Sequence, residues 1–301
     1  MKIAAVSDIH VQPNGADAPL IEAIRKQAEA MTPDIFVIAG DVSNRIDTLR
    51  ASLAELKLEH AANLYVPGNH DIWFEEDKGI GSLEKYSRLI GEACHDAGFH
   101  YLPDEPYVRE KLGFVGSMGW ADYSFARPEL KIPEENYRRK EYRGATWFDV
   151  FNVDWDFTDE EATDLFNRKL EYDLSTLPKQ VRHIVYVSHH LPFRELTVYK
   201  NRLPWDFFSA YMGSVKTGQI LLRDGRVILS ISGHSHIRNV VTVNGITAIT
   251  VPLGYGRPRN HDYEALAQKA VAEIEITEGV VDLRQFVTGD ICEGMPYVVA
   301  R

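Results

Sequence analysis

The stretch "ANLYVPGNHD", residues 62–71, joins a short apolar run to a glycine and then to three polar side chains, Asn69, His70 and Asp71. The run "ANLYV" has the length and composition of a buried β-strand. Polar residues directly after such a strand lie at its carboxyl end, where open α/β sheets bind their ligands. Asn and His also suit turns, so this stretch alone is compatible with an ordinary loop. The rest of the chain decides between a turn and a site.

Four other predicted strands end in the same way, with Asp or His side chains one to four residues beyond the apolar run. They are "KIAAVS" before Asp8 and His10, "DIFVIAG" before Asp41, "HIVYVS" before His189 and His190, and "RVILSIS" before His234 and His236. Five strands that all end in carboxylate, amide or imidazole groups are not expected by chance. Together they predict a metal site at the edge of a sheet.

The segments between these strands have helical periodicity. The spacing of apolar residues predicts helices over 18–31, 47–59 and 81–98, with Asp47 as an N-cap and Gly98 closing the third helix. Short strands that alternate with amphipathic helices are typical of an α/β layered fold.

Two hairpins are predicted near the end of the chain. Asn244 and Gly245 separate "NVVTV" from "ITAITV", and Gly279 separates "AVAEIEIT" from "VVDLRQFV". Both pairs have the short turn that antiparallel strands need. We therefore expect one domain over residues 1–301 in which the motif-bearing strands and these hairpins form the sheets.

A segment over about residues 123–177 interrupts this pattern, because it is rich in charged and aromatic residues. Thr158 and Glu161 form the signature of a capping box, so the segment contains at least one firm helix start. We expect a helical insertion that supplies part of a substrate pocket, with Trp147 and Trp155 as candidate contacts. Peripheral helices packed on a sheet edge, or a dimer surface, are the alternatives.

Composition limits the possible partners. The chain has a formal net charge of −11, which disfavours binding to nucleic acid by electrostatic attraction. The basic stretch "NYRRKEYRG" is the one candidate for such binding, and acidic residues surround it. No apolar run approaches the roughly 20 residues of a membrane span, so no membrane contact is expected. The sequence leaves the oligomeric state open.

Location is predicted from the N-terminus and the cysteines. The start "MKIAAVSDIH" lacks the features of a signal peptide, so a cytoplasmic location is the expectation. Cys94 and Cys292 lie far apart in sequence and outside any metal-type spacing. They are expected to be reduced thiols and not part of a disulfide framework.

The ligand types indicate which metals the site would hold. No cysteine belongs to the motifs, so a thiolate zinc site is excluded. Carboxylate, amide and imidazole ligands suit Mn, Fe, Zn, Co or Ni. About seven ligands are too many for one tetrahedral ion but suit two ions about 3.5–4 Å apart that share a carboxylate. An anionic substrate is the natural guest of such a pair.

The order of the motifs "DIH", "GD", "GNHD", "HH" and "GHSH" resembles the calcineurin-like metallophosphoesterase superfamily. The resemblance implies a sandwich of two mixed β-sheets flanked by helices, with a dinuclear site at the strand ends. It also implies hydrolysis of a phosphoester by a metal-bridging hydroxide. The cofactor would be two divalent ions or an Fe(III)/M(II) pair, with Mn or Fe favoured over Zn, Ni and Co.

The resemblance also assigns roles to individual residues. His70 matches the histidine that faces the substrate as a general acid, and Asp71 matches the acid that orients it. Asp41 would bridge the two metals. The other implied ligands are Asp8, His10 and His236 for the first metal and Asn69, His189 and His234 for the second.

The chain departs from the family pattern in two places. The fourth motif has two adjacent histidines; His189 is chosen as the ligand because lariat-debranching members also place it directly after the strand-ending serine. His190 is the alternative ligand. If His189 is the ligand, the side chain of His190 is expected to point away from the metal, and His190 is then a candidate substrate contact. The motif after Asp41 lacks the Arg-Gly pair of protein phosphatases, which disfavours a Ser/Thr protein phosphatase.

The substrate is predicted only in outline, as a small or nucleotide-like phosphoester and not a polymer. Tyr255 could stack on a base or aryl group, and Arg257 could bind a second phosphate. A solvated glycine-rich turn is the other interpretation of these two residues. The alternative functions are a nuclease acting on DNA or RNA and a non-catalytic metal-binding scaffold.

Overall fold

The computed structural model of the chain describes residues 1–254, 256–258 and 261–291. Fourteen strands and ten α-helices make up this part of the chain. The strands are β1 Lys2–Val6, β2 Ile35–Ala39, β3 Ala62–Val66, β4 His100–Tyr101, β5 Tyr107–Arg109, β6 Leu112–Ser117, β7 Glu141–Tyr142, β8 Ala145–Thr146, β9 His183–Ser188, β10 Val227–Ser232, β11 Val240–Val243, β12 Ile246–Thr250, β13 Ala272–Thr277 and β14 Val280–Gln285. The helices are α1 Ala18–Ala30, α2 Ile46–Leu56, α3 Ser82–Glu84, α4 Ile90–Ala97, α5 Glu134–Arg138, α6 Asp149–Asn152, α7 Asp159–Thr176, α8 Trp205–Phe208, α9 Val215–Arg223 and α10 Tyr263–Ala270.

Two six-stranded mixed sheets pack against each other, which confirms the predicted sandwich. The first has the order β14-β13-β1-β2-β3-β4 and the second the order β11-β12-β10-β9-β6-β5. The central strands of each sheet are parallel, and antiparallel strands lie at every edge except that of β4, which pairs in parallel with β3. Because parallel strands end on the same side, the motifs after β1, β2 and β3 meet those after β9 and β10 at one edge of the sandwich.

The central strands of the first sheet are apolar on both faces, as is typical of buried parallel strands. In β1, Ile3 and Ala5 pack between the two sheets, whereas Ala4 and Val6 pack against the helices that cover the first sheet. The outer face of the second sheet is covered by α7 and α9. This packing holds the strand ends rigidly, so the loops that follow them have fixed starting points.

The predicted turns and helix ends are confirmed with one exception. Asn244 and Gly245 both have positive φ between β11 and β12, and Gly98 closes the helix that ends at Ala97. The exception is Asp47, which is not an N-cap. It lies in the first turn of α2, and its carboxylate accepts a hydrogen bond from Lys78 Nζ at 2.7 Å.

The segment over 123–177 has two different parts. The capping box of Thr158 and Glu161 starts α7 as predicted, and α7 packs on the outer face of the second sheet through Leu170 and Leu174. The preceding part, up to residue 157, instead forms short helices and a small hairpin. Only this first part approaches the strand ends. Among the described residues, no helix has the length and hydropathy to cross a membrane.

Candidate metal centre and substrate chamber

Four side chains converge where β1, β2 and β10 end. One ligand atom each from Asp8, His10, Asp41 and His236 lies within 4.8 Å of the other three. The Nε2 atoms of His10 and His236 are 3.2 Å apart, and His236 Nε2 is 3.3 Å from Asp8 Oδ1. Nitrogen and oxygen donors gathered so closely in a buried place have the arrangement of ligands around a common cation.

A second group of donors adjoins the first through Asp41. His189 Nε2 is 3.2 Å from Asp41 Oδ2 and also 3.2 Å from His234 Nδ1. Asp41 Oδ2 is 3.7 Å from His10 Nε2, in the first group. The Asp41 carboxylate therefore lies between two sets of imidazoles, which is where a bridging ligand belongs.

Asn69 lines the same cavity as Asp41 and His234. Its Nδ2 atom donates a hydrogen bond to Asp149 Oδ1 at 2.9 Å, and its Oδ1 atom is buried without a hydrogen-bond partner among the described residues. A buried amide oxygen in this state is costly unless it binds something. The donor set and this unsatisfied oxygen both fit a metal ion.

The imidazole rings are oriented by backbone carbonyls. His189 Nδ1 lies 2.8 Å from the Ala39 oxygen, and His234 Nε2 lies 3.1 Å from the Tyr211 oxygen. Each contact selects the tautomer whose other nitrogen carries a lone pair toward the cluster. His236 is held in the same way by the oxygen of Gly254.

The backbone at these residues is in an unusual conformation. Five of the predicted ligands have left-handed φ angles: Asp8 57°, His10 50°, Asp41 57°, His234 67° and His236 53°. For residues with a side chain this conformation costs on the order of 1–2 kcal/mol each, and such strain clusters at functional sites. Close approach adds to it, since a Cβ on Gly68 would clash with Asp41 Oδ1 and one on Gly233 would lie 2.6 Å from Asp8 Oδ2.

Burial and crowding shift the titration of this cluster. Burial, and then the neighbouring imidazoles, lower the pKa of His10 and His234 well below the usual range. Burial also raises the pKa of Asp41. For His189 burial acts in the downward direction, but the Asp41 carboxylate outweighs it and the pKa is raised to about 9. Burial thus disfavours the charged forms of His10, His234 and Asp41, whereas His189 is held in its charged form by the Asp41 carboxylate.

His70 lies beside the cluster and not within it. Its ring stacks on Trp73 with centroids 3.8 Å apart and meets the ring of His10 edge-on at 4.6 Å. It also lines the cavity next to the metal ligands. Burial lowers the pKa of His70 well below its usual range.

Asp71 does not orient His70, contrary to the expectation from sequence. Its carboxylate accepts five hydrogen bonds: from the backbone N–H groups of Asp41, Val42, Ser43 and Gly68 and from the hydroxyl of Tyr65. These bonds fill its acceptor positions and tie the loop after β2 to the loop after β3. Asp71 therefore positions the backbone of Asp41, and His70 rests on Trp73 instead.

Of the three predicted substrate contacts, the structure describes His190 and Arg257, and both are engaged elsewhere. His190 is buried behind His234, with its Nδ1 3.3 Å from the Met118 oxygen, and does not line the cavity. Arg257 bonds Asp17 and the backbone oxygens of Ile9 and His10, so it fastens the loop after β1. Tyr255 lies outside the described residues.

A cavity of about 270 Å³, here called the chamber, opens directly over the cluster. Its floor is formed by His10, Asp41, Asn69, His70, His234 and His236. Two segments form the walls. Trp147 and Phe148 come from the 123–177 segment, and Thr197, Val198, Trp205, Phe208, Ser209 and Met212 come from the segment after β9.

The second wall was not found from the sequence. It belongs to the stretch "LTVYKNRLPWDFFSAYM", residues 196–212, which is as aromatic as the first wall. The connection between β9 and α9 is far longer than most connections in compact domains, and that length was the available signal. Trp155 is also placed differently from the prediction. It packs on Trp120, with centroids 4.8 Å apart, and does not line the chamber.

Comparisons with known proteins agree with this geometry. A family model described as calcineurin-like phosphoesterase matches residues 1–238. The acyl-carrier-protein phosphodiesterase PptH of Mycobacterium tuberculosis is 26% identical over 282 residues, which cover 88% of this chain and 82% of that protein. An uncharacterised protein, L509, of Acanthamoeba polyphaga mimivirus is 22% identical over 237 residues, which cover 76% of this chain and 81% of that protein.

Two solved structures share the fold. The phosphopantetheinyl hydrolase PptH of M. tuberculosis has a TM-score of 0.68 at 24% identity, covering 84% of this chain and 89% of that one. A dimetal phosphatase of Danio rerio has a TM-score of 0.54 at 15% identity, covering 97% of both chains. At these identities the likeness concerns the fold and not the substrate.

The matched residues 1–238 contain every strand-end motif, from Asp8 to His236. Calcineurin-like phosphoesterases use a dinuclear metal centre, and the buried Asp and His cluster fits one. Family, fold and cluster therefore agree. The chain belongs to the calcineurin-like phosphoesterase family and is a phosphoester hydrolase.

Proposed function

We propose that the chain hydrolyses a small phosphodiester or phosphomonoester whose leaving group occupies the chamber. The observation that carries this proposal is that one cavity has the metal ligands as its floor and aromatic side chains as its walls. The floor suits a phosphoryl group, and the walls suit an apolar or planar group attached to it.

In this proposal two metal ions share the Asp41 carboxylate. Asp8, His10 and His236 hold the first, and Asn69, His189 and His234 hold the second. Such a pair, when bound, supplies Lewis acidity toward the phosphoester oxygens and lowers the pKa of water toward neutrality. Mn or Fe suits this mixture of carboxylate, amide and imidazole donors, with Zn, Ni and Co as alternatives.

His70 is proposed to protonate the leaving oxygen. Its ring faces the chamber beside the floor, and stacking on Trp73 fixes its orientation. Burial lowers the pKa of His70, and in this proposal the bound phosphoester anion raises it again so that the ring carries the proton. The proton is then available where the leaving group departs, and a poor leaving group depends on it most.

The chamber walls limit the substrate class. Among the described residues, those that form the walls are aromatic, aliphatic or hydroxyl-bearing, including Trp147, Phe148, Trp205 and Phe208. Such walls suit an uncharged group better than the repeating phosphates of a nucleic acid. The acidic net charge of −11 acts in the same direction. A nuclease is therefore the less favoured enzyme.

A second candidate substrate is a phosphopantetheine group on a carrier protein. The relative at 26% identity is named as an acyl-carrier-protein phosphodiesterase, and its match covers 88% of this chain. A pantetheine arm is long and uncharged, so the same chamber could receive it. In this case the carrier protein would remain outside the chamber.

A substrate panel tests both candidates. Purified protein, first freed of metal and then supplied with Mn²⁺, Fe²⁺, Zn²⁺, Ni²⁺ or Co²⁺, is assayed with an aryl phosphate, aryl phosphodiesters, nucleotides and a phosphopantetheinylated carrier protein. The proposal expects metal-dependent turnover that is fastest for esters with an uncharged apolar leaving group. Turnover of none of these substrates with any metal would favour the non-catalytic scaffold.

A further inference from the structure

Asp149 lies at the start of α6, in the segment that forms the first chamber wall. Its side chain is buried, with 2% of the residue exposed. Three side-chain N–H groups donate to its carboxylate. Asn69 Nδ2 and Trp73 Nε1 donate to Oδ1 at 2.9 and 2.8 Å, and Trp147 Nε1 donates to Oδ2 at 2.8 Å.

The bond to Asn69 determines which end of its amide faces the cluster. A carboxylate only accepts hydrogen bonds, so it selects the NH₂ end of the amide for itself. The other end, Oδ1, is then turned away from Asp149 and is left buried without a hydrogen-bond partner among the described residues. A metal ion requires this oxygen and cannot use the NH₂ group.

The other two bonds reach the remaining parts of the site. Trp73 is the ring on which His70 stacks, at 3.8 Å between centroids. Trp147 lines the chamber and meets the ring of His234 edge-on at 5.6 Å. One carboxylate thus contacts a predicted ligand, the support of the predicted acid and a wall of the chamber.

We propose that Asp149 is a positioning residue that couples the chamber wall to the second metal site. It presents the Asn69 oxygen to the metal and holds Trp73 and Trp147 in fixed orientations. This inference rests on the proposed role of Asn69 as a ligand. It assigns a function in the reaction to a residue of the 123–177 segment, outside the strand-end motifs.

Two substitutions separate the consequences. Asp149→Ala removes all three acceptor contacts, so the Asn69 amide is no longer held with its oxygen toward the cluster. Asp149→Asn retains one acceptor oxygen and replaces the other with an NH₂ group. Because Asn69 and Trp73 share one oxygen, we expect the remaining amide oxygen of this variant to stay with them and the new NH₂ group to oppose Trp147.

A matched control exists in the same segment. Asp159 is also buried, and its carboxylate accepts hydrogen bonds from Trp120 Nε1 at 2.7 Å and Tyr123 Oη at 2.6 Å and pairs with Lys140. None of these partners is a proposed ligand or lies against His70. Trp120 does pack against His190, with centroids 4.9 Å apart. Asp159→Ala therefore reports the loss of a buried, tryptophan-bound carboxylate that makes no hydrogen bond to a proposed ligand.

The experiment has three measurements. Titration calorimetry measures Mn²⁺ binding, and thermal unfolding measures stability. Steady-state kinetics compare KM for an ester with a bulky apolar leaving group with KM for a methyl ester. Asp149→Ala is expected to weaken binding of the second Mn²⁺ by roughly 10–100-fold, the usual effect of losing a partner behind a ligand. Asp149→Asn is expected to keep two ions but to raise KM for the bulky ester several-fold more than for the methyl ester. Asp159→Ala should change neither Mn²⁺ binding nor the KM ratio.

Two outcomes would overturn the inference. In the first, Asp149→Ala binds both ions as tightly as the unmodified chain. In the second, Asp159→Ala loses as much Mn²⁺ affinity as Asp149→Ala. If Asp149→Ala does not fold, the KM comparison for Asp149→Asn decides, and equal changes for both esters would contradict the inference. Failure of the proposed function is a distinct result, because the unmodified chain would then turn over neither ester, whereas the Mn²⁺ titration would still test the role of Asp149.

Discussion

Asp41 is the residue on which both halves of the cluster depend. Its Oδ2 atom lies near His10 and His189, and its Oδ1 atom accepts a hydrogen bond from the backbone N–H of His70 at 2.9 Å. Burial raises the pKa of this carboxylate, so its charged form needs a cation beside it. The cluster is therefore built for binding and not for the stability of the unliganded fold.

Replacing Asp41 with Asn separates metal binding from the stability of the fold. Asp41→Asn should abolish turnover and reduce bound metal, since the neutral amide is a weak bridge. The melting temperature of the metal-free variant should stay close to that of the metal-free parent, because removal of a buried charge is offset by loss of the Asp41–His189 pair. Saturating Mn²⁺, at about 100 times its dissociation constant, should stabilise the parent by about 2.7 kcal/mol for each ion bound and the variant by far less. Equal stabilisation of both would contradict the bridging role.

His70 allows a test that depends on the leaving group. His70→Ala should reduce turnover by roughly 10²–10⁴, the range for loss of a general acid. Both metals should remain bound, because the ring lies beside the cluster. The deficit should shrink for p-nitrophenyl esters, whose leaving group needs no proton. The same deficit for good and poor leaving groups would exclude the acid role.

The convergence of the strand-end residues was predictable from the geometry of parallel strands. Parallel strands end on one side, so polar residues placed after each apolar run had to meet. Asp149 could not be predicted in this way. It stands among charged and aromatic residues in "TWFDVFNVDWDF" and resembles its solvated neighbours. Its role follows from its hydrogen bonds with Trp73 and Asn69, which lie 76 and 80 residues away in sequence. No local sequence pattern encodes such distant contacts.

At the scale of elements, the strands, hairpins and capped helix were predictable because each depends on its own residues. The positive φ angles of Asn244 and Gly245 and the capping box at Thr158 are local requirements with local solutions. The second chamber wall, over 196–212, was not predictable because short helices in a long connection have no periodicity to detect. Its position depends instead on the aromatic cluster that joins Tyr211 and Phe207 to Tyr137.

The two walls suggest a comparison between tryptophans. Trp147 lines the chamber and stacks on Tyr211, whereas Trp155 packs against Trp120 away from it. Trp147→Ala should raise KM for an ester with a bulky leaving group more than for a methyl ester. Trp155 is half-buried, so Trp155→Ala should lower the free energy of unfolding by less than the about 3–5 kcal/mol that a fully buried Trp contributes, and it should leave this KM ratio unchanged.

Measuring both variants by denaturant unfolding and by steady-state kinetics distinguishes packing from binding. The roles would be contradicted if Trp155→Ala shifted the KM ratio or if Trp147→Ala left it unchanged. Trp147→Phe is a useful third variant, because it keeps an aromatic wall and loses the N–H that Asp149 accepts.

At the scale of the molecule, the acidic surface surrounds a cleft that would hold cations. The net charge of −11 predicts weak attraction of nucleic acids. Binding of single-stranded DNA or RNA should be no tighter than about 10⁻⁴ M at physiological salt, the weak end of non-specific binding. Fluorescence anisotropy with a labelled oligonucleotide checks this value. Micromolar, salt-dependent binding would contradict this expectation and favour a nuclease.

Two metal ions at the ends of the central strands are the feature on which every proposed role depends. Crystals of the Mn²⁺-loaded protein, measured for anomalous scattering from manganese, test this directly. We predict two anomalous peaks about 3.5–4 Å apart, with Asp41 between them and Asn69 Oδ1 bound to the peak on the His189 side. A single peak at full Mn²⁺ occupancy, or peaks away from Asp41, would contradict the dinuclear centre.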